Sequence, residues 1–273
     1  MGVIDEQDGL RELHHLEPIL LADRTRPVLL QDLIAMKDVP ACVLLELPQR
    51  EIGGQLPQYA ELEAMSAYCR ERRIKLHLDG ARLFEVLPYY GKTAQEVCAL
   101  FDSVYISVYK GIGGVVGAIL AGSREFADRS KVWKRRHGGD LISLYPYILA
   151  ADYYMEQRLS RMGEYYQGAK ELAVWYNGCC SLRTIPTVPV SNMFHVHCHR
   201  SKAQLEAAIM EASRESGVGF ASSVREREGG GSCYEVSIGD RYAKVPKTVL
   251  EQAFQALDRE LRKLDEAGIR PTI

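Results

Sequence analysis

Four short apolar runs, spaced among helical segments, constrain the fold of this chain more than any other feature. They span residues 41–47, 74–78, 103–108 and 115–121 and consist mainly of aliphatic and aromatic side chains. Short runs that are apolar on both faces are typical of strands in a mainly parallel sheet that helices cover on both sides. The sequence therefore predicts an α/β fold. Ligands of such sheets bind beyond the carboxyl ends of the strands.

One acidic and one basic residue follow two of these runs. Asp79 comes directly after the run at 74–78, and Lys110 lies just past the run at 103–108, so we expect both at the same edge of the sheet. A carboxylate that keeps a pyridine nitrogen protonated and a lysine that forms an imine are what an enzyme of pyridoxal 5′-phosphate (PLP) requires. Taken singly, an Asp after a strand is often a turn residue, and a Lys before Gly is often a solvated charge.

Several spaced motifs resemble the threonine aldolase and aromatic β-eliminating lyase family of fold-type-I PLP enzymes. They are LEL at 45–47 with the glycines at 53–54, HLDGARL at 77–83, YKGIGG at 109–114, and RRHGG at 135–139 with LYPY at 144–147. The resemblance implies that Lys110 binds PLP covalently and that Asp79 pairs with the pyridinium. It further implies that Ala81 packs near the ring face and that Arg82 holds the ring oxygen or the substrate carboxylate. Ser107, three residues before Lys110, is a candidate neighbour of the cofactor phosphate.

The resemblance also implies an organisation in two domains. We expect a PLP-binding large domain with a mainly parallel sheet at residues 1–160 and a small C-terminal α+β domain at 161–273. A helical region at 144–175 should lead from one to the other. Members of the family begin with a phosphate-cradling loop and a ring-stacking residue, whereas residues 2–9 are polar and contain neither. We therefore expect the first quarter of the family pattern to be missing and the large domain to be truncated.

The activity implied by the resemblance is that of a carbon–carbon lyase. Such an enzyme cleaves a β-hydroxy-α-amino acid, L-threonine or a similar compound, to glycine and an aldehyde. The same Lys110 and Asp79 would serve β-elimination of an aromatic or thiol group, and the residues do not separate the two reactions. A truncated paralogue with little catalysis is the third alternative. The general base is not identified by the sequence.

Composition limits the classes of binding partner and the cellular compartment that we expect. The formal net charge of −2 gives no general attraction to nucleic acid, and no apolar run approaches membrane-spanning length. Seven cysteines without a disulfide framework indicate a reducing cytoplasm. We expect an amino acid as the small-molecule substrate, no bound metal, and a homodimer or homotetramer that buries apolar surface around residues 131–147.

Two further patterns favour ordinary structural roles. The glycines at 111–117 resemble a dinucleotide-binding loop, but their spacing is one residue too long and a strand follows instead of a helix. His195, His197 and His199 alternate, so a strand through all three would place them on one face. Because no acidic or Cys partner joins them at a recognisable spacing, we interpret them as structural residues.

Overall fold

The computed structural model describes residues 7–268, and its main sheet contains the four predicted strands. The strand order is β1-β2-β3-β4, in which β1, β2 and β3 are parallel and β4 is antiparallel to β3. The predicted α/β class with a mainly parallel sheet is therefore confirmed. The strands are β1 (Cys42–Glu46), β2 (Lys75–Asp79), β3 (Ser103–Ser107) and β4 (Ala118–Gly122).

Within residues 7–268, seven helices accompany this sheet. Helix α3 contacts it through an apolar stripe at helical spacing, so that Leu62, Met65 and Cys69 are buried. They join a hydrophobic cluster with Leu45 of β1 and Leu78 of β2. The helices are α1 (Gly9–His14), α2 (Leu30–Ile34), α3 (Tyr59–Glu71), α4 (Leu83–Tyr90), α5 (Ala94–Cys98), α6 (Arg124–Arg136) and α7 (Tyr145–Arg158).

The helical region predicted at 144–175 is two helices instead of one. A turn of 3-10 helix at Leu159–Arg161 separates α7 from α8 (Met162–Gly178). Arg158, which precedes that turn, and Arg161, its last residue, both bind the carboxylate of Asp240. The change of helix type brings the two guanidinium groups to one acceptor, which explains the break.

The second half of the chain forms an antiparallel sheet of order β5-β6-β8-β7. Its elements are β5 (Leu182–Ile185), β6 (Met193–Cys198), β7 (Arg225–Glu226), β8 (Ser232–Ser237), α9 (Lys202–Ser216) and α10 (Lys247–Gly268). One face of this sheet packs on α8, α9 and α10 in a second hydrophobic cluster, to which Tyr176, Phe194 and Tyr234 contribute the largest side chains.

Two glycines after β1, Gly53 and Gly54, contact the opposite face of the second sheet. Gly53 and Gly54 both have positive φ, of 81° and 71°. A Cβ atom on Gly53 would lie 2.0 Å from the carbonyl oxygen of Ile185, and one on Gly54 would lie 2.6 Å from Cγ of Met193. Since nothing larger than glycine fits, these residues bring the second sheet close to the end of β1.

A large apolar surface at β4, α6 and α7 faces away from both hydrophobic clusters. All five residues of β4 are exposed, and neither α6 nor α7 contributes a buried residue. Ile142, Trp133 and Tyr145 are among its exposed large side chains.

Within the described residues, no helix combines the length and the apolar character needed to cross a membrane.

Candidate active site

Asp79 lies at the carboxyl end of β2, in the middle of the parallel part of the main sheet. Its register partners are Glu46 on β1 and Tyr105 on β3. The carboxylate accepts one hydrogen bond, from the backbone N–H of Ala81 at 3.1 Å. This bond orients the carboxylate at the edge of the sheet just before α4 begins.

Lys110 lies three residues beyond the end of β3, at the same edge of the sheet. Val108 closes the loop that carries it, because its N–H donates to Gly117 and its carbonyl accepts from the N–H of Gly114 at 2.7 Å. The Lys110 ammonium lies 5.9 Å from the ring centre of Tyr109. The structure thus places Asp79 and Lys110 beyond the ends of neighbouring parallel strands, where the sequence predicts them.

A buried acid that the sequence analysis missed contacts the residue that follows Lys110. Glu85, on α4, is only 2% exposed and accepts a hydrogen bond from the backbone N–H of Gly111 at 3.1 Å. Burial raises the pKa of Glu85 to about 7, although the charges of Arg82 and Lys110 favour its ionised form. The available signal was an acid inside the apolar run LFEVL at 83–87.

The other predicted site residues are Ala81, Arg82 and Ser107, and they differ in their burial and contacts. Ala81 is buried directly after Asp79. Arg82 is largely buried, and its guanidinium lies 4.0 Å from the carboxylate of Glu235 on β8. Ser107 is 2% exposed, and its hydroxyl lies 3.0 Å from that of Tyr105 on the same strand. The Ser107 hydroxyl therefore already has a protein partner in this structure.

Glu235 brings the second sheet into the site. Its carboxylate accepts a hydrogen bond from Nε of Arg50 at 2.7 Å. Nε2 of His195 lies 4.0 Å from the same carboxylate and is buried without a hydrogen-bond partner. Burial lowers the pKa of His195, so the neutral form is favoured. Burial and the charge of Asp79 raise the pKa of Glu46, which makes this edge rich in carboxyl groups.

The three alternating histidines do not converge on one point. His195 and His197 share a face of β6 with their ring centres 6.2 Å apart, but the strand ends at Cys198. His199 therefore turns away, and its Nε2 lies 3.8 Å from Asp265. No group of three or more metal-binding side chains occurs in the part of the chain that the structure describes.

The side chains at the sheet edge fit PLP. Over residues 7–268, neither Asp79 nor Lys110 forms an ion pair within 4 Å, so a carboxylate and an amine remain for a ligand. A carboxylate is the required partner of a pyridine nitrogen, and an amine is the required partner of an aldehyde. Both come from neighbouring strands at one edge, which is where a ligand of a parallel sheet binds.

Comparison with known proteins shows which family the chain matches. Residues 20–199 match the model of the family described as beta-eliminating lyase. The chain is 32% identical over 158 residues to the low specificity L-threonine aldolase of Escherichia coli K12, an alignment that covers 56% of this chain and 46% of that protein. The chain therefore spans about half the length of this curated relative.

Two solved structures share the whole arrangement. One, named as a candidate L-allo-threonine aldolase from Listeria monocytogenes EGD-E, is 50% identical with a TM-score of 0.93 and covers 95% of this chain and 73% of its own. The other, named as a candidate aromatic amino acid beta-eliminating lyase/threonine aldolase from Exiguobacterium sp. 255-15, is 51% identical with a TM-score of 0.91, covering 94% and 72%. The predicted fold type I and the family resemblance are confirmed.

Proposed function

Because this chain belongs to the beta-eliminating lyase family, we propose that it is a PLP-dependent carbon–carbon lyase. The substrate would be a β-hydroxy-α-amino acid, L-threonine or a similar compound, and the products glycine and an aldehyde. The observation that carries this proposal is the pair formed by Asp79, at the end of β2, and Lys110, just past the end of the adjacent parallel strand β3, with no ion pair among the described residues. The names of the aldolase relatives in E. coli and Listeria support the choice of substrate.

Five residues of this chain would hold the cofactor and the substrate. When bound, PLP supplies an electron-accepting ring that stabilises negative charge at Cα of an amino acid. Lys110 would bind its aldehyde carbon, and Asp79 would hold the proton on its ring nitrogen. Ala81 leaves room beside the ring, and Arg82 would orient the substrate carboxylate or the ring oxygen. The Ser107 hydroxyl would donate to the phosphate, because it can accept a hydrogen bond from Tyr105 at the same time.

Substrate profiling separates cleavage from the alternative reaction, β-elimination, which the family description favours. L-Threonine and L-phenylserine should yield glycine and an aldehyde, which mass spectrometry detects. L-Serine derivatives with a thiol or aromatic leaving group would instead yield a keto acid and ammonia if elimination dominates. Lys110→Ala is the negative control. Glycine production that is equal in Lys110→Ala and the unchanged chain would contradict the proposal, and no product from either substrate class would favour the inactive paralogue.

The exposed apolar surface supports assembly into a homodimer or homotetramer. It includes the segment predicted at 131–147, where Ile142 is completely exposed and Tyr145 is two-thirds exposed. Monomeric proteins rarely expose large continuous apolar patches, and exposed apolar side chains of this kind are typical of interfaces. Light scattering should show at least a dimer, and Ile142→Glu should dissociate it. A monodisperse monomer of the unchanged chain would contradict this part of the proposal.

The domain boundary and the compartment are further parts of the proposal. The two hydrophobic clusters support a large domain at 1–160 and a small domain at 161–273, since residues up to 104 build the buried part of one and residues from 162 onward build that of the other. The seven cysteines are unpaired in the structure. Unpaired thiols support a reducing cytoplasm.

A further inference from the structure

The loop at residues 110–114, which we call the lysine loop, is fixed from two sides by charged side chains. Its sequence is Lys-Gly-Ile-Gly-Gly. On one side, the carboxylate of Glu85 accepts the N–H of Gly111 at 3.1 Å. On the other side, Nη1 of Arg158 donates to the carbonyl oxygen of Ile112 at 2.7 Å. Two consecutive residues after Lys110 are thus held by side chains far away in the sequence.

The glycines of the loop make room for these two anchors. A Cβ atom on Gly111 would lie 2.0 Å from Oε1 of Glu85, and one on Gly113 would lie 1.5 Å from Nη1 of Arg158. Gly113 also has a positive φ of 86°. The glycines therefore allow the charged side chains of Glu85 and Arg158 to approach the backbone of the loop closely. This is an alternative to the phosphate-binding role that glycine-rich loops often have.

Both anchors are themselves supported. Glu85 is on α4, the helix that follows Asp79, so it links the unit carrying the acid to the loop carrying the lysine. Arg158 donates from Nε to Asp240 at 3.0 Å, and its guanidinium lies 4.7 Å from the ring centre of Tyr154. Because the donors and acceptors are partly or fully removed from water, each contact restricts the loop strongly.

We propose that Glu85 and Arg158 are positioning residues that hold Lys110 in place through the two residues that follow it. This inference rests on the proposed function, in which Lys110 binds the cofactor.

The Glu85 contact is tested by competitive trace acetylation of the full chain after bound cofactor is removed with hydroxylamine. Glu85→Leu removes the acceptor of the Gly111 N–H, whereas Glu85→Gln keeps an oxygen that can accept it. Acetylation of Lys110 at pH 8, relative to the other lysines, should rise about threefold in Glu85→Leu because a released loop exposes the amine more often, and Glu85→Gln should restore the original value. Glu61→Leu is the matched control, since Glu61 accepts a backbone N–H from Leu30 at 3.2 Å.

The Arg158 contact is tested with PLP and borohydride trapping at Lys110. Arg158→Met removes the donor to Ile112 and should lower the trapped fraction at limiting PLP about tenfold, the scale of one charge-assisted hydrogen bond. Arg161→Met is the matched control, because Arg161 binds the same Asp240 without touching the loop.

The outcomes separate this inference from the proposed function. If the unchanged chain traps no PLP at Lys110, the proposed function fails, while acetylation still reports whether Glu85 positions Lys110. If Glu85→Leu folds normally by circular dichroism and acetylates like Glu61→Leu, the role of Glu85 is refuted. Equal trapping by Arg158→Met and Arg161→Met would refute the role of Arg158.

Discussion

Replacing Gly113 by alanine should destabilise the protein through one identifiable contact. The added Cβ would lie 1.5 Å from Nη1 of Arg158, so the guanidinium must move and its bond to the Ile112 carbonyl must break. A hydrogen bond from a charged donor contributes roughly 1–2 kcal/mol at a partly exposed position. An alanine at a positive φ adds about 1–2 kcal/mol of backbone strain. The total loss is about 2–4 kcal/mol.

Gly91→Ala isolates the backbone part of this cost. Gly91 also has a positive φ, of 61°, but a Cβ there would meet no atom within 4 Å. Its substitution should cost only the strain, about 1–2 kcal/mol. The difference between the two variants therefore measures the Arg158 contact.

The assay is urea unfolding at pH 7, followed by circular dichroism, for the unchanged chain and both variants. The unfolding free energy of Gly113→Ala should be lower than that of Gly91→Ala by roughly 1–2 kcal/mol, with an unchanged dependence on urea. Equal losses in the two variants would refute the reasoning, because they would show that Arg158 contributes nothing through Ile112.

Two further predictions concern the acid at the site and a buried histidine. Asp79→Asn should preserve trapping of PLP at Lys110 but lower turnover about 10²–10³-fold, since the ring nitrogen loses its anionic partner; turnover near that of the unchanged chain would place the nitrogen elsewhere. Burial lowers the pKa of His197 from 6.5 to about 4. Between pH 6.5 and pH 4, His197 is therefore protonated in the unfolded chain but neutral in the folded chain. Because protons bind the unfolded state more tightly, the free energy of unfolding should fall by about 1.4 kcal/mol per pH unit toward pH 4. His197→Gln should flatten this slope in urea unfolding at pH 7, 5.5 and 4.5, and an unchanged slope would show that His197 does not titrate this way.

The main sheet and the central pair were predictable because both depend on local patterns. Each apolar run became a strand within three residues at either end, although β4 is exposed along its whole length and β1 is buried only at alternate residues. Asp79 and Lys110 could be assigned to one edge because they follow two of these runs. That step needs only the rule that parallel strands end at the same edge.

The supporting contacts could not be predicted because they join distant parts of the chain. Glu85 and Gly111 are 26 residues apart, and Arg158 and Ile112 are 46 residues apart. A single sequence shows an acid in an apolar run and a glycine-rich loop, but not that one fits into the other. The end of β6 could not be predicted from the histidines either, because their alternation continued to His199 whereas the strand ended at Cys198.

Reductive trapping of PLP shows whether Lys110 binds the cofactor. The full chain is incubated with PLP, reduced with borohydride and digested, and the modified peptides are identified by mass spectrometry. We expect a yellow complex before reduction and modification concentrated on Lys110, which Lys110→Ala abolishes. Modification of another lysine with none at Lys110 would contradict this expectation.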